Sequence, residues 1–218
     1  MRCRSALLLA SLCVGAMGAQ TLPNTANLTG PLTIVLRGDI ADRSVLNAME
    51  REVESLVAPS SIRVAWISNT NGAQVYEHVA VIRLRGNCRG DAPLSTPVRA
   101  QGNTAEPLGQ TQVSDGKVLP FATVRCDAVR NLIARELVFR PSYEREDVFG
   151  RALGRVVAHE LYHVLLRTTS HGTTGLARPV QTSADLVADR DSFAPADERK
   201  LSEASSVEAT ESFSPSGR

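Results

Sequence analysis

An α+β domain, with a mixed sheet backed by helices and one long helix towards its end, is the fold class this 218-residue chain predicts. Short aliphatic runs of strand length cluster ahead of Cys126, two of them joined by the turn dipeptide Asp115-Gly116. Helical apolar spacing appears once between the strands and twice after them, the last time over a sustained stretch ending near Leu166. The order strand, helix, two strands, loop, hairpin, helix, long helix describes an α+β domain with a mostly consecutive sheet backed by helices. With 43% hydrophobic residues the length suits one well-cored domain, and with 4% aromatics that core must be mostly aliphatic.

Residues 32–36 form an aliphatic run ending at Arg37-Gly38-Asp39, a strand followed by a turn. From 42 to 57 the apolar positions Val45, Leu46, Met49, Val53, Leu56 and Val57 recur at helical spacing, with Asp42 as N-cap and Pro59 as terminator. Ile62, Val64 and Trp66 alternate with Arg63 and Ala65 as a second strand. Asn69-Thr70-Asn71-Gly72 is a turn, 78–84 a third strand, and 86–107, dense in Gly, Pro, Asn and Ser, a long surface loop. Strands at 109–113 and 117–126 flank the Asp115-Gly116 hairpin turn. A helix follows at 127–137, Pro141 breaks it, and Asp147 is expected to cap a long helix reaching Leu166.

The N-terminus has the layout of a secretory signal peptide over residues 1–18: Arg2 and Arg4, an apolar run over 6–14, then the small residues Ala16, Gly18 and Ala19. That run is too short to span a bilayer unaided, so no stable membrane anchor is expected after cleavage, and the protein is expected to be secreted or periplasmic. Cys3 and Cys13 leave with the signal, and Cys88 and Cys126 are expected to form a disulfide in an oxidising compartment; two buried thiols are the alternative. The formal net charge of +1 gives no reason to expect nucleic acid as a partner.

His159 and His163 stand four residues apart on the long helix. Both imidazoles therefore project from one face, one turn apart, where their nitrogens can converge on a single cation. Neutral imidazole suits zinc, which lowers the pKa of a bound water towards ~7, and a neighbouring carboxylate can take the proton as that water attacks a carbonyl. Glu160 is that carboxylate, so the His-Glu-x-x-His pattern points to one catalytic Zn2+ with His159 and His163 as ligands and Glu160 as general base. A catalytic zinc usually has three protein ligands. His171 lies past the helix end, where 167–170 can bring the chain back and Gly172 permits a sharp turn. Asp185 and Asp189, on a short helix further on, compete for the role, or could instead orient a ligating histidine.

These residues resemble the zincin metallopeptidases, specifically the metzincin branch, through His159-Glu160-Leu161-Tyr162-His163, the trailing His171 and the strand-helix-strand order before the long helix. The resemblance spans residues 32–180 in architecture. It implies a zincin/metzincin-like fold with a long active-site helix, zinc on His159, His163 and His171, Glu160 as base, and a protein or peptide substrate lying along an edge strand, here 109–113. The chain departs from the metzincin pattern in having Leu166 where a glycine is expected, and a third histidine two residues late. No methionine follows the motif, and Gly175-Leu176-Ala177 offers a turn with an aliphatic floor instead. The expected organisation is a signal peptide at 1–18, a linker at 19–30, a zinc metallopeptidase-like domain at 31–200 and a disordered tail at 201–218. The alternative is a secreted, non-catalytic zinc-binding or interaction protein on a degenerate metzincin-like scaffold.

Overall fold

The computed structural model describes residues 30–38, 42–68, 76, 78–90 and 107–211. The expected signal peptide, the linker up to residue 29, the turn at 69–72 and the 91–106 part of the long loop lie outside the described residues.

Strand β1 (Leu32–Arg37) is buried from Leu32 to Leu36 on both faces, which is why it reads as a continuous aliphatic run and not as an alternation. Helix α1 (Arg43–Val57) follows, its first turn capped by Asp42, whose Oδ1 accepts from Ser44 N at 3.0 Å and Val45 N at 3.4 Å. A single 3-10 turn at Ala58–Ser60, carrying Pro59, ends it as expected. Strands β2 (Val64–Ile67) and β3 (Val79–Arg85) come next. A hairpin then pairs β4 (Gly109–Ser114) with β5 (Lys117–Arg125). Asp115 and Gly116 both adopt positive φ, 50° and 73°, which is the chemistry of a two-residue hairpin turn.

The five strands lie in the order β2-β1-β3-β5-β4. All neighbours are parallel except β4, which runs antiparallel to β5 and forms one edge. This mixed sheet is less consecutive than the chain order suggested. Because α1 carries the chain over from β1 to a parallel β2, β3 is free to pair with the other side of β1.

The helix expected at 127–137 is two short helices, α2 (Cys126–Leu132) and α3 (Ala134–Val138). The bend at Ile133 lets Val129, Ile133 and Leu137 all point into the core. Helix α4 (Ser142–Leu165) begins five residues before the expected cap. Pro141, extended at ψ 157°, precedes its first turn, and Asp147 sits inside the helix, where it pairs with Arg51 at 3.1 Å and Arg151 at 3.5 Å. Helix α4 packs on α1, and both contribute to one apolar cluster with the sheet, including Ile34, Ile82, Val124, Met49, Val53, Leu153 and Leu161. Two more helices close the described chain, α5 (Ser183–Val187) and α6 (Pro195–Glu211). The expected tail therefore starts too early at 201: α6 runs through it to Glu211, and Leu201 is buried.

The expected disulfide is present, joining Cys88 after β3 to Cys126 at the start of α2. Among the described residues, no helix is long and apolar enough to cross a membrane.

Candidate metal centre

His159 and His163 occupy the last two turns of α4. The helix ends in a left-handed residue: Arg167 has φ 48°, its N–H donating to Val164 O, and Thr168 N donates to His163 O. The sharp turn expected at Gly172 is thus made at Arg167, with a second at Gly175 (φ 65°). Gly172 is needed small for another reason, since a Cβ there would lie 2.5 Å from Asp197 Oδ2. The returning chain sets the His171 ring 4.6 Å from that of His163 and 5.3 Å from that of His159.

All three histidines offer ligand nitrogens within 4.8 Å of one another, and Nε2 of His159 and of His163 lie 3.2 Å apart. Two nitrogens bound ~2.05 Å from one tetrahedral ion would be about 3.3 Å apart. The protons are fixed by backbone carbonyls, which can only accept. His159 Nδ1 donates to Leu176 O at 2.8 Å and His163 Nδ1 donates to Thr168 O at 2.9 Å. In the neutral rings both Nε2 atoms therefore present lone pairs to each other. Protonating one would relieve the repulsion, but burial pushes His159 down to about 4, helped by His163 and His171 and opposed by the Leu176 bond, and burial lowers His163 too. Such a pair of lone pairs is suited to a cation, and the donor set fits a divalent metal ion.

Asp185 and Asp189 are not brought to this cluster. Asp185 Oδ2 accepts from Thr182 N and Oγ1 in a capping box at the start of α5, and its Oδ1 pairs with Arg178 at 2.9 Å. Asp189 is exposed and borders a separate hollow lined by Glu52, Gly175 and Ser192.

Glu160 is 4% exposed and faces the edge strand. Thr111 Oγ1 donates to its Oε2 at 2.7 Å, and Gly109 makes room for it, since a Cβ there would lie 2.5 Å from Oε1. Burial pushes this carboxyl up to about 7, against the Thr111 bonds that lower it. Glu160 and the three histidines border one cleft of about 940 Å3, walled by β4, α2 and the segment after Gly175.

Thr111, Gln181 and the carbonyls of Thr168 and Leu176 belong to the site and were not singled out from the sequence. A signal did exist for Thr111: Gly109, in a strand and two residues before it, marks a place where another group comes close. The carbonyls carry no such signal, because every residue has one. No protein-family model, curated protein or solved structure matches this chain.

Proposed function

We propose that this protein is an exported zinc-dependent hydrolase that cleaves peptide bonds, with zinc held by His159, His163 and His171. The observation that carries the reading is a metal-capable triad of histidines sharing a cleft with a buried carboxyl that titrates near neutrality. A purely structural metal site has no use for such a group, whereas a general base works best with a pKa near the operating pH.

Zinc in this position would acidify water and polarise a carbonyl. The chain's own groups do the rest. Glu160 accepts a proton from the attacking water and returns it to the leaving amine nitrogen, and Thr111 holds one of its carboxylate oxygens throughout. Among the described residues no strand pairs with the outer side of β4, whose backbone groups would suit an extended peptide. Among the described residues lining the cleft, Glu160 is the sole carboxylate and there is no lysine or arginine. The apolar walls, with Leu108, Leu132, Val156 and Val180, favour aliphatic or aromatic side chains beside the scissile bond. The Cys88–Cys126 disulfide supports export to an oxidising compartment.

The test is zinc content together with cleavage of casein or a peptide library, for the wild type, Glu160→Ala and His171→Ala. One zinc per chain is expected in the wild type and in Glu160→Ala, cleavage in the wild type alone, and loss of zinc in His171→Ala. Tight zinc binding with no cleavage, unchanged by Glu160→Ala, would replace this reading with a non-catalytic zinc protein.

A further inference from the structure

The segment after Gly175 is closed on itself by side chains reaching back to main-chain oxygens. Arg178 Nε donates to Gly175 O at 3.1 Å, and Gln181 Nε2 donates to Leu176 O at 2.9 Å. The second of these acceptors is the same carbonyl that receives the Nδ1 proton of His159 at 2.8 Å. One backbone oxygen, which has two lone pairs, thus takes two N–H groups. The residue bearing it is held through its own amide as well, Leu176 N donating to Ser192 O at 2.9 Å.

The other half of the Gln181 amide is left unserved. Its Oε1 is buried and has no hydrogen-bond partner among the described residues. Turning the amide over would set Oε1 against the Leu176 carbonyl, oxygen to oxygen, so the observed orientation is the one that carbonyl imposes. For stability alone a hydrocarbon chain of equal length would serve better here, since it would bury no orphaned acceptor. Beyond closing the segment, the amide acts on one acceptor through Nε2, Leu176 O, whose other donor is His159.

We infer that Gln181 is a positioning residue for the metal centre: by occupying one lone pair of the Leu176 carbonyl it confines the His159 Nδ1–H to the other, and so aims His159 Nε2 at the ion. This rests on the metal-binding reading and does not depend on hydrolysis. Groups that orient a ligating histidine through its far nitrogen typically contribute 10–100-fold to metal affinity. Gln181 acts one bond further out, through the carbonyl, and belongs at the lower end of that range.

The test replaces Gln181 by Met in the full chain, which keeps length and packing and removes the donor. Zinc dissociation constants are measured by chelator competition, and thermal unfolding is followed on the metal-free proteins. Gln181→Met should weaken zinc about tenfold, change the visible spectrum of the Co2+-loaded protein, and leave metal-free unfolding in place. Gln181→Glu, which sets a carboxylate oxygen against the carbonyl, should weaken zinc at least as much. An unchanged zinc constant in Gln181→Met would overturn the inference, as would a metal-free protein that melts several degrees lower, because that is the mark of a structural role. Wild type that binds no zinc would overturn the metal centre and this inference together, an outcome distinct from the other two.

Discussion

Burial and hydrogen bonding pull Glu160 in opposite directions, and burial wins, pushing the carboxyl from 4.5 up to about 7. Between those values the unfolded chain has released the proton while the folded protein keeps it. Glu160 therefore lowers the stability of the metal-free protein as pH rises from 4.5 to about 7, by up to ~3 kcal/mol. His159 has the opposite sign. Its folded value of about 4 lies below 6.5, so stability is lost as pH falls from 6.5 towards about 4. Glu160→Gln should remove the first slope and keep the second. Urea unfolding of chelator-treated protein should find the variant more stable than wild type near pH 8 and the difference closing near pH 4.5. A pH-independent difference would show that Glu160 is not perturbed by burial. At this scale the sequence was informative where geometry is local. The i, i+4 spacing of His159 and His163 forces their rings together once a helix forms, and of the four cysteines only Cys88 and Cys126 fall outside the expected signal peptide, which left one pairing. His171 was one option among three, because its approach depends on where the chain reverses, at Arg167.

Helix α4 is positioned by a buried cation as well as by its apolar stripe. Arg155, one turn ahead of His159, is fully buried. Its Nε donates to Glu52 of α1, while its two terminal nitrogens donate to Asp185 O and Ala188 O, all at 2.7 Å. One side chain thus ties α1, α4 and the end of α5 together. Arg155→Leu leaves the Glu52 carboxylate and two carbonyls without their partner and should cost about 3–5 kcal/mol in urea unfolding; a loss under ~1 kcal/mol would mean water replaces the guanidinium. Elements were easier to find in the sequence than to delimit. Asp147 is a better cap type than Pro141, yet α4 starts at Ser142, where the Pro141 carbonyl accepts from Glu144 N and Arg145 N, and Asp147 turns instead to Arg51 and Arg151. Helix α6 escaped notice because its composition of Ser, Glu and Ala shows little apolar periodicity. What holds it is sparse and specific: Tyr162 donates to Asp197 at 3.2 Å, Ser60 donates to Glu198 O, and Leu201 is buried.

For the molecule as a whole, the sheet brings distant segments to one cleft. Strand β4 supplies Thr111 and Gly109, α4 the histidine pair and the acid, and the chain beyond Arg167 the third histidine and Gln181. The order β2-β1-β3-β5-β4 could not be read from the sequence, since a strand's own residues do not name its neighbours. The wall formed by α2 is anchored by the disulfide at its first residue. Closing 38 residues of chain, that bond should contribute about 4 kcal/mol, so a Cys88→Ala/Cys126→Ala variant should unfold at correspondingly lower urea. A loss below ~1 kcal/mol would mean that the unfolded chain is already compact there.

The 24-residue helix α4 also has an electrical polarity. Its peptide dipoles sum to roughly half a negative charge at the C-terminal end, where His159 and His163 stand, favouring a cation there by about 0.3–2 kcal/mol. Three neutral imidazoles would leave a divalent ion its full charge. The occupied cleft would then be a positive spot in a nearly uncharged trough, and phosphate, citrate and free carboxylates would compete for it, less so as ionic strength rises.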